Sequence, residues 1–339
     1  MKTNSRFYRV AVIYNSSDEP SEGDDIDLIS EKAVEDEAQA VVQALEQKGH
    51  QAFLIALSHI ENDLIQISSL KPDLIFNLCE GYRGKARHEM FIAGLWELLG
   101  IPYSGNSPLT LGLAQNKVLT KRLLDSKRIP TPAYQVYRSV PESTYLTFPL
   151  IAKPACEDAS LGITQKAVLA DFNQLKERVT YLLKKYRQPV LVEQFISGRE
   201  FNVSILGCNP ARVLAISEID FSGIDPSCQK ITSYEAKWLK DHPLYKSTPA
   251  VCPAVLSPSL QHKLQDAALM TYQVLGGRDY GRVDFRVDNN DHIFVLEFNP
   301  NPDISLDAGY SNALRTAGMK YADFVEYIIN QTMSRMYDD

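Results

Sequence analysis

The chain has 339 residues, of which 45% are hydrophobic and 23% are charged, and its formal net charge is -7. These values are ordinary for a folded protein of two or three domains, and the negative charge argues against non-specific nucleic-acid binding. No apolar run is long enough to span a membrane, and the first residues lack a signal-peptide pattern. The five cysteines are scattered and form no CxxC pair, so we expect free thiols, no zinc site and a cytoplasmic protein.

Strands and helices alternate over the first hundred residues. Apolar runs predict strands at 7–14, 51–56 and 74–78, with an amphipathic helix at 31–48 and another helix at 86–99. This alternation predicts a parallel α/β domain. The first strand is followed by no glycine-rich phosphate loop, which argues against a classical dinucleotide site there. One side of the last helix is predicted to carry Met90, Phe91, Leu95, Leu98 and Leu99.

A charged loop, CEGYRGKARH, follows the third predicted strand. Its charged side chains include Glu80, Arg83, Lys85 and Arg87. The loop lies at the carboxyl end of a strand, where α/β folds place ligands. It is either a binding loop for an anionic or zwitterionic substrate or a solvated charged loop.

The middle of the chain begins with a predicted helix at 109–126, whose polar positions include Lys117, Lys121 and Arg122. A mixed α/β region then runs from about 134 to 203. Within it, Lys153 follows a short strand, and the proline after it favours an extended backbone. A lysine beside a loop of small residues suits nucleotide phosphates. The alternative is an ordinary surface lysine.

The stretch PVLVEQFISGREFNVSILG at 189–207 reads as strand, short link and strand. Glu193 and Glu200 lie on either side of the link. This arrangement suits a nucleotide, because the backbone of the link can pair with the edge of the base. The two carboxylates can bind the exocyclic amine of the base and the ribose hydroxyls. The alternative is that these are simply two glutamates at the ends of strands. The polar region 220–250 is predicted to be a loop over a site, and the last helices are predicted at 257–276 and 320–336.

A hairpin is predicted near the end of the chain, from Arg282–Val287 and His292–Phe298 joined by a four-residue turn. Strict alternation places Leu296 and Phe298 on one face of the second strand, with Val295, Glu297 and Asn299 on the other. The hairpin then brings Asp284 opposite Glu297 and Asn299, beside Arg282. These oxygen donors suit Mg²⁺ carrying a polyphosphate, and the alternative is a hairpin with a polar face.

Several stretches, in the same order, resemble the D-alanine–D-alanine ligase family of ATP-grasp enzymes and cover roughly residues 75 to 330. They are IAGLWELLGIPYSGNSPLTLGLAQNKVLTKRLL, FPLIAKP, LVEQFISGREFNVSILG, YEAKW, GRVDFRV with LEFNPNP, and ALRTAGMKYADFVEYII. The resemblance implies an α/β (α+β) fold with three-domain ATP-grasp architecture, in which the nucleotide lies between the central and C-terminal domains. We place these domains at 1–108, 109–193 and 194–339. It also suggests a homodimer.

The resemblance implies specific roles in ATP and metal binding. Lys117 and Lys153 would bind phosphates, Glu193 and the backbone of Gln194, Phe195 and Ile196 would hold adenine, and Glu200 would hold ribose. Lys237 would reach the γ-phosphate, Arg282 would stabilise charge at the reacting centre, and Asp284, Glu297 and Asn299 would bind two Mg²⁺ ions, or Mn²⁺.

The reaction implied is transfer of the ATP γ-phosphoryl group to a substrate carboxylate. An amine then attacks the acyl phosphate to form an amide, ADP and phosphate. Metals and fixed cations neutralise developing phosphate charge in such a site, and a closing loop excludes water. We expect amino-acid-like small-molecule substrates, and we predict Ser222–Ala236 as the lid.

The amino-acid half of the family pattern is missing. The family's early glycine-rich motif is absent from Val10–Glu22, a substrate-organising serine is replaced by Ala159, and a tyrosine is replaced by Trp238. We therefore predict that the ligase chemistry is retained with substrates other than two D-alanines. A genuine D-alanine–D-alanine ligase and a non-catalytic ATP-binding protein remain alternatives. Candidate substrate residues are Glu80, Arg83, Lys85, Arg87, Trp238, Asn301 and Asp303.

Overall fold

The structure is a computed structural model that describes residues 6–16, 26–157 and 160–336. Within these residues it has three β-sheets, which we call the first, second and third sheets in chain order. No helix in the described part of the chain is long and apolar enough to cross a membrane.

The first sheet is parallel and has the strand order β2-β1-β3. Its strands are short apolar runs whose side chains are mostly buried, which confirms the parallel α/β arrangement predicted from the alternation. The helix between residues 60 and 70 was not predicted. The elements are β1 Arg9–Asn15, α1 Ile26–Gln47, β2 Gln51–Leu57, α2 Ile60–Leu70 and β3 Leu74–Asn77.

The next helix, α3, spans Glu89–Leu99 and follows a single 3₁₀ turn. Its buried face includes Ile92 and Trp96, and the Trp96 indole donates to Asn77 Oδ1 at 3.1 Å. Leu98, on the side that the sequence favoured, is 88% exposed. The helix is apolar nearly all round, so its periodicity did not determine which side is buried.

The helix predicted at 109–126 is two helices, α4 at Pro108–Gln115 and α5 at Lys117–Ser126. Asn116 leaves the helical region with φ −86° and ψ 89°, and its side chain accepts a hydrogen bond from the Leu119 N–H. The Lys117 N–H donates to the Ala155 carbonyl at 2.9 Å. The break therefore comes from an N-cap and a distant backbone contact, and it fixes Lys117 at the start of a helix.

The second sheet is antiparallel and has the order β4-β7-β5-β6. Its buried core lies against one helix, α6, whose Leu175, Val179 and Leu182 are fully buried. The elements are β4 Tyr134–Tyr137, β5 Leu150–Pro154, β6 Val168–Leu169, α6 Phe172–Tyr186 and β7 Val190–Gln194.

The third sheet is also antiparallel, with the order β10-β9-β8-β11-β12. Each predicted domain range contains most of one sheet, and the domain boundaries remain a prediction. The strands are β8 Arg199–Leu206, β9 Arg212–Ile219, β10 Ala250–Val251, β11 Tyr280–Val287 and β12 Ile293–Asn299. The helices are α7 Tyr234–Trp238, α8 Pro243–Lys246, α9 Pro258–Val274, α10 Gly309–Thr316 and α11 Tyr321–Arg335.

The predicted hairpin is present as β11 and β12, and Asp284 lies opposite Glu297. The strict alternation predicted for β12 is wrong, because Val295 and Phe298 both lie in the buried core beneath the third sheet. A β-bulge after Asp284 shifts the register by one residue, and a bulge re-aims the side chains beside it. As a result, Leu296 faces the same cavity as Glu297.

The link between β7 and β8 depends on Gly198. Its φ is +142°, and a Cβ atom there would lie 2.1 Å from the Val287 carbonyl oxygen. To relieve such a clash, either the link or β11, the strand that carries Asp284, must move.

We predict that Gly198→Ala destabilises the protein by about 2 kcal/mol or more, through steric strain at positive φ. Urea-induced unfolding followed by fluorescence measures this change. Gly309→Ala is the matched control, because no atom lies within 4 Å of its added Cβ. An equal effect of both substitutions would contradict the proposed constraint.

Candidate functional site

A cavity of about 770 Å³ lies between the second and third sheets, and most of the predicted site residues line it. Lys117 lines a small adjoining pocket with Lys153 and Glu297. The sequence-predicted residues along the main cavity are Glu80, Lys153, Glu193, Gln194, Phe195, Ile196, Glu200, Lys237, Trp238, Arg282, Asp284, Glu297, Asn299, Asn301 and Asp303.

Three predicted substrate residues, Arg83, Lys85 and Arg87, are exposed and do not line this cavity. The backbones of Tyr82 and Lys85 bond to each other in a tight turn, and the residues between them have positive φ. The Arg83 guanidinium lies over the Tyr82 ring, 5.3 Å from its centroid. The three cations therefore remain at the surface, and the structure does not bring them to the site.

Glu193 lies between two lysines at the buried end of the cavity. Its carboxylate is 2.5 Å from Lys153 Nζ and also pairs with Lys121, and none of the Glu193 surface is exposed. Burial raises the pKa of Glu193, but the two lysines outweigh it and hold the pKa below its ordinary value. Burial lowers the pKa of Lys121 to about 8.

This arrangement changes the interpretation of Glu193. The carboxylate that was predicted to contact adenine is enclosed by lysines, so in this structure it positions Lys153 at the cavity wall. Sequence reasoning missed the partner lysine, Lys121. Its spacing of four residues from Lys117 placed both on one helix face, but gave no sign of the distant glutamate.

Glu297 pairs with Lys117 across the small pocket, with 3.2 Å between Nζ and Oε2. Burial raises the pKa of Glu297, but the opposite effect of the Lys117 and Lys153 charges is larger and lowers this pKa to about 2. Burial and the charge of Arg282 lower the pKa of Lys237. Glu297 is therefore ionised at neutral pH and surrounded by cations.

Asp284 accepts hydrogen bonds from three side chains. Arg282 donates to it through Nε and Nη2 at 2.7 and 2.8 Å, Asn202 donates at 2.7 Å, and Asn299 donates at 2.9 Å. Asn202 lies opposite Asp284 on β8 and was missed, although it shares a strand face with Glu200. This network fixes both carboxylate oxygens of Asp284.

Glu200 connects the third sheet to the segment predicted as the lid. Its carboxylate is 2.9 Å from Arg286 Nη2 and accepts a hydrogen bond from Thr232 Oγ1 at 2.7 Å. Arg286 also donates to the Lys230 carbonyl. Glu200 therefore lines the cavity while holding residues 230–232 over it.

The predicted lid, Ser222–Ala236, also contacts the second sheet's loops. Gln165 and Gln229 exchange two hydrogen bonds of 2.7 and 3.3 Å, and the Tyr234 N–H donates to the Ile163 carbonyl at 2.9 Å. The segment thus bridges the two sides of the cavity. Ala159 and part of Val10–Glu22 lie outside the described residues.

The donor set fits Mg²⁺ bound together with a nucleotide. Asp284 and Glu297 supply carboxylates, and the Asn299 carbonyl oxygen adds a neutral ligand. Nowhere in the described ranges do three or more His, Cys, Asp or Glu side chains form a metal group. Mg²⁺ at nucleotide sites commonly takes one or two carboxylates and completes its octahedron with phosphate oxygens and water, so the smaller set is sufficient.

Glu80 and Asp303 line the opposite end of the cavity, and a buried carboxylate that sequence reasoning missed lies close to them without lining the cavity. Glu37, on α1, is 5% exposed and accepts a hydrogen bond from the Ile304 N–H at 2.7 Å. Burial raises its pKa well above the ordinary value, and the charges of Asp303 and Glu80 add to this shift. The amphipathic pattern of α1 gave no signal that separated Glu37 from its other glutamates.

Trp238 and Asn301 complete the wall between the two ends. Lys237 Nζ lies 5.1 Å from the centroid of the Trp238 ring, which suits a cation–π contact. Asn301 accepts from the Tyr280 hydroxyl at 3.2 Å and so is fixed against the core.

We predict that Glu193→Gln lowers the free energy of unfolding by about 3 kcal/mol, because it leaves Lys121 and Lys153 buried without a counter-charge. Adding Lys121→Met should recover part of the loss. The matched control is Glu218→Gln, which breaks the more exposed pair with Arg199 and should change stability by about 1 kcal/mol or less. Urea titration measures all three variants, and similar losses for both glutamate variants would refute the prediction.

Comparison with known proteins gives a consistent result. Residues 112–330 match the family model described as D-ala D-ala ligase C-terminus. The chain is 31% identical to a D-alanine–D-alanine ligase of Bordetella pertussis, with 98% of each chain covered. It is 33% identical to an uncharacterized protein of Sinorhizobium fredii, with 88% of each covered.

A solved structure shows the same fold. It is the D-alanine–D-alanine ligase from Bacillus anthracis complexed with ATP, with a TM-score of 0.74 and 21% identity. The match covers 98% of this chain and 99% of that one. The chain therefore belongs to the D-alanine–D-alanine ligase family of ATP-grasp enzymes, and it is an ATP-dependent ligase that forms carbon–nitrogen bonds.

Proposed function

We propose that the protein joins a carboxylate to an amine through an acyl phosphate, and that its substrates are not two D-alanines. One observation carries the proposal. The hairpin β11–β12 places Asp284, Glu297 and Asn299 together, within a cavity whose other wall carries Lys153. This pairing of hard oxygen donors with fixed cations is what phosphoryl transfer requires.

ATP lies across the two sheets in this proposal. Adenine faces the link Gln194–Ile196, where the Gln194 and Phe195 N–H groups bond to the carbonyls of Ala133 and Pro149 and so fix the link. Glu200 faces the ribose. Lys117 and Lys153 face the phosphates, and Lys237 reaches the γ-phosphate.

Asp284, Glu297 and Asn299 would hold two Mg²⁺ ions, with Mn²⁺ as an alternative. The bound metal supplies charge neutralisation for the phosphates. Without it, Lys117 neutralises Glu297 and Arg282 neutralises Asp284. With metal on the two carboxylates, Lys117 and Arg282 would be available to contact the phosphates.

The reaction follows from these positions. A substrate carboxylate oxygen attacks the γ-phosphorus, the bond from that phosphorus to the β,γ-bridging oxygen breaks, and ADP leaves, while Lys237 and Arg282 stabilise the negative charge on the transferred group. The acyl phosphate is then attacked by the second substrate's amine, which releases phosphate and forms the amide. The lid, Ser222–Ala236, excludes water that would hydrolyse the acyl phosphate.

A genuine D-alanine–D-alanine ligase is the second candidate function. It is supported by identity that extends over 98% of both this chain and the Bordetella pertussis ligase. Against it stand Ala159 and Trp238, which cannot supply the hydroxyl groups of the family's substrate-organising serine and tyrosine.

We also propose that the three domains occupy 1–108, 109–193 and 194–339, and that the protein is a cytoplasmic homodimer. The five cysteines are free thiols, which suits a reducing compartment. Phe91, Leu98 and Leu109 are 60%, 88% and 69% exposed on the adjacent helices α3 and α4, and they form a candidate contact face between copies.

We predict ADP release that depends on both a carboxylate and an amine, measured across a broad amino-acid panel with a coupled assay. D-alanine as the sole amino acid should support no more than about a tenth of the best rate, a difference of about 1.4 kcal/mol. Ordinary efficiency with D-alanine would favour the second candidate. If no pair stimulates ATP turnover, the non-catalytic interpretation replaces both.

In the same assay, Glu297→Gln should lower turnover about 100-fold or more, because a carboxylate that neutralises and holds the metal is lost. Calorimetry should still detect ATP binding, since the adenine and ribose contacts are untouched. Glu61→Gln, on the exposed side of α2, is the control and should match the unmodified protein. Unchanged turnover in Glu297→Gln would overturn the assigned role.

A further inference from the structure

The last residue of α4, Gln115, carries a buried hydrogen-bond donor that the protein leaves unsatisfied. Its side chain is 8% exposed and lines the main cavity, and its Nε2 has no hydrogen-bond partner among the described residues. Of the buried donors without a partner in the described ranges, only this one belongs to a residue that lines the cavity. Burying an unpaired donor is unfavourable, so we expect its acceptor to arrive with a ligand.

Two contacts hold this part of the chain along β12 and so fix where Gln115 lies in the cavity. Before α4, Asn106 Nδ2 donates to the carbonyl of Pro300, the residue after β12, at 2.6 Å. In α5, Lys121 Nζ donates to the carbonyl of Val295, near the start of β12, at 3.1 Å. Both helices pack on β12 between these contacts. Gln115 therefore lies alongside the second half of this strand.

The second half of β12 carries the proposed metal ligands Glu297 and Asn299, which line the same cavity as Gln115. Two residues after Gln115, Lys117 lies 3.2 Å from Glu297, measured between Nζ and Oε2. The unpaired amide is therefore on the segment that reaches the metal-binding residues. This is the part of the cavity where a metal and the terminal phosphates of ATP would meet.

A neutral donor suits this position because the nearby cations already have anionic partners. Lys117 pairs with Glu297, and Arg282 donates to Asp284 at 2.7 Å. The amide nitrogen of Gln115 is a donor only, so its ligand is an oxygen and not a cation. It can therefore bind a phosphoryl oxygen without drawing a carboxylate away from the metal, and hydrogen bonds to charged oxygens are the stronger ones.

We propose that Gln115 Nε2 donates a hydrogen bond to an oxygen of the γ-phosphoryl group of bound ATP. The inference rests on the proposed function, since it adds a residue to the same nucleotide site. ADP lacks the γ-phosphoryl group and cannot make this contact. Gln115 is thus a residue that favours ATP over ADP.

Calorimetric titration of the full-length protein with Mg²⁺ tests this, with ADP compared with an ATP analogue whose β,γ-bridge is a non-hydrolysable imide. Gln115→Met keeps an unbranched side chain of similar length and removes the donor. We expect it to weaken binding of the ATP analogue about tenfold or more, and binding of ADP less than about twofold. Equal weakening of both nucleotides, or unchanged affinity for the analogue, would overturn the inference.

A second substitution tests the donor role itself. Gln115→Glu keeps the shape of the side chain and replaces the donor with a negatively charged acceptor. It should weaken the ATP analogue more than Gln115→Met does, because like charges repel. Unmodified affinity in Gln115→Glu would refute the proposal. Gln66→Met is the control, because Gln66 is exposed on α2 and does not line the cavity.

Stability without nucleotide separates ligand binding from a structural role. Gln115→Met removes an unpaired buried donor, so its midpoint of urea-induced unfolding should equal or exceed that of the unmodified protein. A structural role predicts a lower midpoint, and that result would contradict the proposal.

Failure of this inference and failure of the proposed ligase reaction give different results. The titration requires no chemistry, so a loss confined to the ATP analogue supports the inference even if no amino-acid pair stimulates ADP release. ADP release from a pair, combined with equal changes in affinity for both nucleotides, would refute the inference and support the ligase reaction.

Discussion

The buried ion pairs around Glu193 are the interaction on which the site depends. This glutamate on β7 draws Lys121 from α5 and Lys153 from β5 into one cluster beneath the cavity. Burying three charges is unfavourable unless each is compensated, and here two cations share one anion. The arrangement leaves a positive charge at the cavity wall, and we infer that a nucleotide phosphate completes the neutralisation.

Compensation by opposite charge continues through the third sheet. Asp284 is held by Arg282 and two asparagines, and Glu297 is held by Lys117. The bulge in the hairpin is what allows both carboxylates to face the cavity while Val295 and Phe298 remain in the core. These ion pairs and hydrogen bonds fix the positions of both carboxylates within the cavity.

The hairpin and its carboxylates were predictable because they depend on local sequence, namely a period of two and a polar turn. The contacts that complete the site were not. Lys121 meets Glu193 across 72 residues of chain, Glu37 meets Ile304 across 267, and single-sequence patterns carry no such information. The outward turn of Arg83 and Lys85 depended on positive φ values within the loop, and the break at Asn116 depended on a distant carbonyl. The charge pattern indicated the loop after β3, which does supply Glu80 to the cavity. It did not show that Arg83 and Lys85 lie at the surface, away from the cavity.

The central claim is that a nucleotide and metal bind together in the cleft between the second and third sheets. A crystal structure of the protein with ADP and Mg²⁺ tests it most directly. The account predicts metal density at Asp284, Glu297 and Asn299, adenine against Gln194–Ile196, and the Lys117–Glu297 contact opened. Nucleotide bound elsewhere, or metal held by other side chains while Lys117 stays paired with Glu297, would contradict it.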